Sequence, residues 1–370
     1  MRVLICPDKF KGSLTARQAA RAIERGVHRA LPRADVELLP LADGGEGSME
    51  LLGKAYGLRK RKLTVAGPLR RPVEAAYYLG AGRAVIETAS ACGMQHVPAP
   101  RRNPENTTTV GVGTLLDDAL ARGATEITLL LGGSATNDAG AGMAAALGFR
   151  FFTAEGYEIV PMAGTLGRIA RIDVRDRHPG LAGATITALC DVDNPLLGTE
   201  GATYTYAPQK GAAVPRLPEL EASMRTFSEI MARDLGRSVT DVPGGGAAGG
   251  LGAGAVAFLG ADLRMGAATI LEALDFQKAA RRADLVFTGE GSLDRQTARG
   301  KVVSEVIASG RPTVVVCGHA AVSAKDIGAK AVISLDIYPE LPLTEKFTRA
   351  AELIEEQVFR YCRDHGPAFK

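Results

Sequence analysis

Acidic and basic side chains recur beside glycines at the points where buried strands are predicted to end. The acids are Asp8, Asp43, Glu46, Asp138, Asp191, Asp193, Glu290 and Asp294, and the lysines are Lys9, Lys11, Lys210 and Lys301. A single carboxylate in such a loop usually caps a helix or stabilises a turn. Recurrence in several loops is harder to explain by capping alone. Carboxylates bind Mg²⁺, and lysines and exposed backbone N–H groups bind phosphates, so the set predicts phosphoryl transfer.

The stretch LLLGGSATNDAGAGMAAALGF (Leu129–Phe149) combines a buried strand, a loop of small polar residues and a helix. Three interpretations compete: a phosphate-binding loop, a nucleophile elbow and a plain strand-to-helix connection. Named nucleotide motifs are absent, because no Gly-Lys pair precedes Ser or Thr and no G-x-G-x-x-G follows the first strand. An elbow requires glycine where Thr136 stands, and histidines to complete a triad are scarce.

The remaining interpretation is a loop that binds an anion, with a phosphate favoured over a carboxylate. The residues expected to contact the anion are Gly132, Gly133, Ser134 and Asn137. Asp138, at the start of the helix, is explained equally well as a helix cap.

The segment ALCDVDNP places Asp191, Asp193 and Asn194 directly after another buried strand. The D-x-D spacing resembles an aspartyl-phosphate site, but Pro195 stands where such sites carry Thr or Val. A calcium-binding EF-hand loop is excluded, because Ala202 occupies the position of the bidentate Glu. The segment therefore predicts two carboxylates and an amide that meet a hard cation or a substrate hydroxyl at the carboxyl end of a strand.

Composition excludes several classes of protein. The net charge of +3 over 370 residues is small, and the basic runs are scattered without interleaved aromatics, so nucleic acid is not an expected partner. No apolar run approaches the length of a membrane span, so no membrane association is expected. The five cysteines lie far apart without a C-x-x-C pair, and the first residues read as a strand, so we expect reduced thiols and a cytoplasmic protein.

The predicted strands and helices that must position these residues alternate in two different patterns along the chain. The chain begins β-α-β-α, and the predicted elements are a strand at 2–6, a helix at 15–31 capped by Ser13 or Thr15, a strand at 36–41 and a helix at 48–56. The same rhythm returns near the end, with strands at 284–288, 313–317 and 331–334, a helix at 301–309 and one terminal helix at about 344–364.

The middle of the chain has short hairpin-like strands and longer helices instead. The predicted elements there are strands at 62–66, 73–78, 84–88, 126–131 and 185–190 and helices at 109–122 and 217–235. We therefore expect an α/β protein with a discontinuous Rossmann-like (flavodoxin-like) parallel-sheet domain, residues 1–64 plus 284–370. A second, mixed α/β domain, residues 65–283, is inserted into it.

Several motifs together resemble one known family, the type-1 glycerate kinases. They are PDKFKGSLTA (Pro7–Ala16), PLADGGEGS (Pro40–Ser48), LGGSATNDAGAGM (Leu131–Met143), CDVDNPLLGTEGA (Cys190–Ala202), APQKGA (Ala207–Ala212), GGGAAGGLGAG (Gly244–Gly254) and TGEGSLDRQTARGK (Thr288–Lys301). This chain departs from the family pattern at single positions: Lys9 stands where Ser is usual, Ala139 where Gly is often found, Tyr206-Ala207 where Phe-Gly is common, and Ser292 where Arg is frequent.

The resemblance implies ATP-dependent phosphorylation of D-glycerate to 2-phosphoglycerate with Mg²⁺ as cofactor, in a cleft between two α/β domains. Asp191 is the first choice for the base that deprotonates the attacking hydroxyl, and Asp8 is the second. Lys11 is expected to neutralise phosphate charge, with Lys210 in reserve. The expected Mg²⁺ ligands are Asp43 and Glu46, and the further contacts to substrate or phosphate are Asp193, Asn194, Gly289, Glu290 and Gly291.

Two other functions remain open from the residues alone. A phosphatase-type hydrolase would use Asp191 as a covalent nucleophile and need no ATP. A metabolite-binding protein would bind glycerate without consuming ATP, although such a protein has little use for so many carboxylates and lysines. The expected state of the kinase is a monomer or a homodimer.

Overall fold

Strands and helices alternate through residues 1–294 and 301–366, the part of the chain that the computed structural model describes. The strands are β1 Arg2–Ile5, β2 Asp35–Leu38, β3 Arg59–Ala66, β4 Pro72–Gly80, β5 Arg83–Glu87, β6 Glu126–Leu130, β7 Arg150–Phe152, β8 Arg171–Asp173, β9 Thr185–Cys190, β10 Asp262–Met265, β11 Leu285–Leu293, β12 Thr313–Ala320 and β13 Ala331–Ser334. The helices are α1 Ala16–Ala30, α2 Ser48–Ala55, α3 Ala89–Cys92, α4 Val110–Ala121, α5 Ala141–Ala146, α6 Ala202–Tyr206, α7 Leu217–Leu235, α8 Ala247–Gly254, α9 Gly266–Ala273, α10 Phe276–Arg282, α11 Val302–Ala308, α12 Ala324–Ile327, α13 Leu343–Thr348 and α14 Ala350–His365.

The chain divides into two compact units. The discontinuous unit comprises Met1–Asp43 and Gly266–Lys370, and the continuous unit comprises Gly44–Met265. These boundaries lie about twenty residues earlier than the sequence pattern places them. The physical reason is pairing and packing: β3 joins the sheet of the continuous unit through β4, while Phe276 of α10 packs against β1 in the discontinuous unit.

The discontinuous unit is built on a parallel sheet in the order β13-β12-β11-β1-β2. Successive residues of a strand face opposite sides of the sheet. Accordingly, Val3 and Ile5 pack against α1 and α14 on one side, and Leu4 and Cys6 pack against α9 and α10 on the other. The predicted α1 is confirmed, and Thr15 caps it: the Gln18 N–H donates to Thr15 Oγ1 and the Thr15 N–H to Gln18 Oε1. This is the doubly wound, Rossmann-like arrangement that the βαβ rhythm predicts.

The continuous unit contains a mixed sheet in the order β10-β9-β6-β5-β4-β3. Strands β10, β9, β6 and β5 run parallel to one another, and β3, β4 and β5 form the predicted antiparallel hairpins. A separate antiparallel pair, β7 and β8, was not predicted. Its Phe151 joins a cluster of phenylalanine rings with Phe227 and Phe258. The fold class predicted from the sequence is therefore confirmed, with one parallel sheet and one mixed sheet.

Two predicted elements differ from the structure. The single terminal helix is two helices, α13 and α14, separated at Arg349, whose φ of −101° and ψ of 9° leave the helical range. No glycine or proline marks this break, so the sequence carried no signal for it. Strand β11 continues to Leu293 rather than ending at Thr288, because β12 pairs with it along that length. No helix in residues 1–294 and 301–366 is long and apolar enough to cross a membrane.

Candidate active site

Two predicted loops begin at the same edge of the sheet in the continuous unit. Strands β6 and β9 are parallel neighbours, so the loop after Leu130 and the loop after Cys190 leave the sheet side by side. Carboxyl ends of parallel strands are where α/β proteins bind ligands. The structure thus brings together, within one unit, the small polar residues of the first loop and the carboxylates of the second.

The loop after β6 has the properties of an anion site. Within the described residues, no protein acceptor is found for the backbone N–H groups of Gly132 and Gly133, and Gly133 has a φ of 62° that favours glycine. Asn137 is buried, and its Nδ2 donates to Thr203 Oγ1 while its Oδ1 has no hydrogen-bond partner. Unused backbone donors and an orphaned buried amide oxygen are the features of a loop that a polar ligand completes.

Lys210 lies beneath this loop and is only 4% exposed. Its Nζ donates to Ser134 Oγ at 3.0 Å and to the Thr136 carbonyl oxygen at 2.7 Å. Burial lowers the pKa of Lys210 to about 8, although the charge of Asp138 opposes that shift. The Ser134 hydroxyl is also engaged, since it donates to the Ala248 carbonyl oxygen. A positive charge is thus held under the loop, where it favours an anion above it.

Asp138 organises the loop from inside. Its carboxylate is fully buried and accepts from Thr109 N, Thr109 Oγ1, Gly140 N and Gly142 N. Burial raises the pKa of the Asp138 carboxyl, and these donated hydrogen bonds oppose the rise. The carboxylate ties the β6 loop to the start of α4 and caps α5, which agrees with the capping interpretation rather than with a role in chemistry.

The glycine run around α8 explains how the two loops are held close. A Cβ on Gly249 would lie 2.0 Å from the Thr136 carbonyl oxygen, and one on Gly246 would lie 2.3 Å from the Pro195 carbonyl oxygen. The Gly246 N–H donates to the Asn194 carbonyl oxygen at 2.9 Å. Glycine is required because backbone packs directly on backbone at both loops. In the sequence, this glycine run was recognisable only as one of the family motifs, without a structural role.

The carboxylates after β9 differ in their surroundings. Asp191 is half-buried at the strand end, and Asp193 is exposed. Asn194 has a structural role, because its Nδ2 donates to the Glu200 carbonyl oxygen and its Oδ1 accepts from Tyr206 Oη. Of these three residues, Asn194 is thus committed to holding the loop together.

The discontinuous unit has its own cluster at the carboxyl edge of the parallel sheet. A cavity of about 570 Å³ is lined by Asp8, Lys11, Asp43, Glu290 and Lys301, among others. Four lysines contribute to its wall, together with several carboxylates. Most of the predicted charged residues of this unit therefore share one cavity.

Asp8 and Asp43 are neighbouring acids of this cavity, and the charge of Asp43 acts on Asp8. Asp8 is 8% exposed, and Lys9 Nζ lies 3.0 Å from Asp43 Oδ1. Burial, followed by the nearby charge of Asp43, raises the pKa of Asp8 to about 7, against the opposing charge of Lys9. Two carboxylates forced together in this way favour a bound cation. Lys9 is one of the positions at which this chain departs from the family pattern, and its ammonium group supplies part of that positive charge.

The remaining predicted residues lie elsewhere than expected. Gly289 and Gly291 lie inside β11 instead of in a loop, and a Cβ on Gly289 would meet the Val316 carbonyl oxygen at 2.1 Å. Glu46 is exposed in the segment before α2 and belongs to the continuous unit, whereas Asp43 belongs to the discontinuous one. Among the described residues, no three His, Cys, Asp or Glu side chains are grouped to hold a metal ion. Residues 295–300, part of the last motif quoted above, lie outside the described residues.

One pair in the cavity was missed by reasoning from the sequence. His319 at the end of β12 has its Nδ1 3.1 Å from both oxygens of Asp336, which follows β13. The Ala320 N–H and the Ser334 hydroxyl also donate to Asp336. Burial raises the pKa of Asp336, but these hydrogen bonds outweigh it and hold the pKa below its usual value. The sequence carries no signal for this pair beyond the place of each residue at or after the end of a strand.

Comparison with known proteins identifies relatives that match nearly the whole chain. The pattern of the glycerate kinase family matches residues 3–364. A glycerate kinase from Bacillus subtilis is 43% identical and covers 100% of this chain and 98% of its own length. The glycerate 2-kinase of Escherichia coli is 43% identical over 82% of this chain and 80% of its own length.

A solved structure shares the whole architecture as well. The crystal structure assigned to glycerate kinase 2 of Salmonella typhimurium LT2 superposes with a TM-score of 0.86 at 38% identity, covering 100% of this chain and 99% of the other. Agreement in sequence pattern, full-length identity and fold leaves one conclusion. This chain belongs to the glycerate kinase family.

Proposed function

We propose that the chain transfers the γ-phosphoryl group of ATP to D-glycerate and forms 2-phosphoglycerate, with Mg²⁺ as cofactor. The observation that carries the proposal is the cavity of the discontinuous unit, where lysines and carboxylates line one space. Phosphoryl transfer is mainly positioning and neutralisation of charge, and it needs this combination of groups. The names of the relatives supply the substrate, and that of the Escherichia coli relative supplies the position of the phosphoryl group.

The phosphates of ATP are assigned to that cavity and the carboxylate of glycerate to the β6 loop. The sequence alone favoured a phosphate in the β6 loop. The change rests on the groups present: four lysines line the cavity, together with five carboxylates that a cation can neutralise, whereas one buried lysine, Lys210, supports the loop. A single cation with free backbone N–H groups suits the single charge of a carboxylate. Lys11, exposed on the cavity wall, neutralises the charge that develops on the transferred group.

The donor set of the cavity fits Mg²⁺. Asp8 and Asp43 offer hard carboxylate oxygens, and burial, followed by the nearby charge of Asp43, raises the pKa of Asp8 to about 7. Mg²⁺ keeps several waters and uses one or two protein carboxylates, so a cluster of three ligands is not required. When bound, the ion screens the negative charge of the phosphates. Asp43 is the first candidate ligand here, and Glu46 remains a prediction.

Asp191 is proposed as the general base. In the reaction its carboxylate accepts the proton of the C2 hydroxyl as that oxygen bonds to the γ-phosphorus and the bond to ADP breaks. A strand end holds this carboxylate in a fixed position, and Asp8 is the second choice. The prediction that the reaction takes place in a cleft between two domains stays a prediction.

The test is a coupled assay for ADP release with D-glycerate, with the product identified by whether its further conversion requires phosphoglycerate mutase. We expect Asp191→Asn to lower kcat by roughly 10²–10⁴-fold while the melting temperature stays near that of wild type. Asp193→Asn, an exposed neighbour, is the matched control and should keep most of the activity. A wild-type kcat in Asp191→Asn would refute the assignment of the base.

The same assay separates the other functions. Release of phosphate without ATP, with a phospho-Asp191 intermediate that can be trapped, would indicate a phosphatase. Binding of glycerate with no ATP consumption would indicate a metabolite-binding protein. We also propose a cytoplasmic protein, which the five free and buried cysteines support. The monomeric or homodimeric state remains a prediction.

A further inference from the structure

Helix α13 presents an apolar face to the charged cavity of the discontinuous unit. Leu343 and Phe347 are 66% and 42% exposed, and they are four residues apart, so they share one face of the helix. Both line the cavity that the lysines and carboxylates occupy. Adjacent exposed apolar side chains at the rim of a cavity are one mark of a ligand-binding groove.

The apolar face of α13 meets the loop after β1, which carries Lys11. Gly12 has a φ of 78°, and a Cβ placed on it would lie 3.3 Å from Cε2 of Phe347. The ring therefore lies against the residue that follows Lys11, the lysine assigned to the phosphates. An aromatic ring and a lysine thus lie next to each other on the wall of the cavity.

We propose that the purine base of ATP packs against Leu343 and Phe347, while its phosphates extend towards Lys11 and Lys301. The inference rests on the proposed function and adds the site of the base. A cavity of about 570 Å³ lies within the range that small-molecule ligands of this size occupy. An aromatic ring next to a lysine-lined space matches a ligand with a flat apolar base at one end and anionic groups at the other.

The chain offers a matched control a few residues before α13. Ile337 is 60% exposed, like Leu343, but it is not part of the cavity wall. Its replacement removes a comparable exposed apolar side chain without touching the proposed site. Inorganic tripolyphosphate is the matched ligand, because it carries the phosphates of ATP without the base.

The experiment measures the binding of ATP and of tripolyphosphate by calorimetry to the full-length wild type and to Phe347→Ala, Leu343→Ala, Phe347→Trp and Ile337→Ala. We expect the first two variants to bind ATP roughly tenfold more weakly and tripolyphosphate unchanged. Phe347→Trp should retain ATP affinity, and Ile337→Ala should match wild type for both ligands. Lys11→Met should weaken both ligands. Melting curves verify that each variant is folded.

Two results would overturn the inference: unchanged ATP affinity in both alanine variants, or an equal loss of ATP and tripolyphosphate affinity in them. The same experiments distinguish a wrong site for the base from a wrong function. If only the base site is wrong, wild type still phosphorylates glycerate and the alanine variants keep its KM for ATP. If the function is wrong, wild type consumes no ATP in the presence of glycerate.

Discussion

Replacement of Lys210 by methionine tests the charge that the structure places under the β6 loop. Methionine keeps the length and the apolar stem of the side chain and removes the ammonium group. The buried Nζ donates to Ser134 Oγ and to the Thr136 carbonyl oxygen, so both acceptors lose this donor in the variant. If the lysine supports binding of the substrate anion, the variant should lose activity without unfolding.

The effect on stability follows from the pKa of Lys210, which burial lowers from 10.5 to about 8. Each unit of difference in pKa between the folded and unfolded states corresponds to about 1.4 kcal/mol of stability. Below pH 8 the charged lysine therefore costs the folded state about 3 kcal/mol. The two lost hydrogen bonds are worth about 1 kcal/mol each. At pH 7 these contributions oppose each other, and Lys210→Met should unfold with a free energy within about 1 kcal/mol of wild type.

Raising the pH separates the two contributions. Between pH 8 and 10.5 the unfolded chain binds a proton at this lysine that the folded chain does not, so wild type gains stability with rising pH. Lys210→Met lacks that gain. The difference in free energy of unfolding, wild type minus variant, should therefore increase by about 3 kcal/mol over this window. Urea denaturation of both proteins at several pH values measures it, and other titrating groups are common to both.

Lys325→Met is the control, because Lys325 is exposed and its replacement should leave the pH profile of wild type. In the coupled assay at pH 7.5 we expect Lys210→Met to raise KM for glycerate by at least tenfold, a loss of about 1.4 kcal/mol of binding. A pH-independent stability difference would contradict the buried charge. Wild-type kinetics in a folded Lys210→Met would contradict its role in the site.

Three further predictions concern single residues. Asp8→Asn should be more stable than wild type in EDTA at pH 8, on the order of 4 kcal/mol, since burial and the charge of Asp43 raise the pKa of Asp8 from 3.8 to about 7 and its ionisation costs the folded state. That gain, measured by denaturation, should vanish as the pH falls towards 4, and the variant should lose turnover. Asp138→Asn should lower the free energy of unfolding by about 2 kcal/mol, because the NH₂ group of asparagine cannot accept the hydrogen bonds that the Asp138 carboxylate accepts. The folded fraction of this variant should keep its kcat. Gly249→Ala should lower the melting temperature far more than Gly156→Ala, since the first Cβ collides with a carbonyl oxygen.

The controls for these variants come from the chain itself. Gly249 and Gly156 both have positive φ, 74° and 88°, but a Cβ on Gly156 meets nothing within 4 Å. Equal losses in the two alanine variants would show that backbone strain alone accounts for the effect. For Asp8, stability that is unaffected by pH would contradict its raised pKa. For Asp138, a fully stable variant without activity would indicate a role in chemistry instead of in the fold.

Much of the site could be read from residue types and their order. The acids and glycines at predicted strand ends pointed to the loops after β1, β6 and β9, because carboxyl ends of parallel strands lie at one edge of a sheet. The cap of α1, predicted at Ser13 or Thr15, was equally local, since the bond at Thr15 depends on two residues three positions apart. Local patterns of this kind predict well because neighbouring residues alone produce them.

Other features depend on packing between distant residues. Gly289 and Gly291 looked like an anion-binding loop, yet β12 pairs with that segment and makes it a strand. The break between α13 and α14 has no glycine or proline to announce it. The exposed face of Leu343 and Phe347 looked like one side of a terminal helix, and only the tertiary structure places it on a cavity wall.

The sequence by itself determined which loops carry charge, which strands are buried and which family the motifs resemble. The tertiary structure decided what each charge does. Asp138 is a buried cap, Asn194 ties a loop together, and Lys210 lies buried beneath residues 74 and 76 positions away in the chain. The physical reason is that burial and the hydrogen bonds that compensate it arise from close approach of distant backbone segments, which no local pattern of residues specifies.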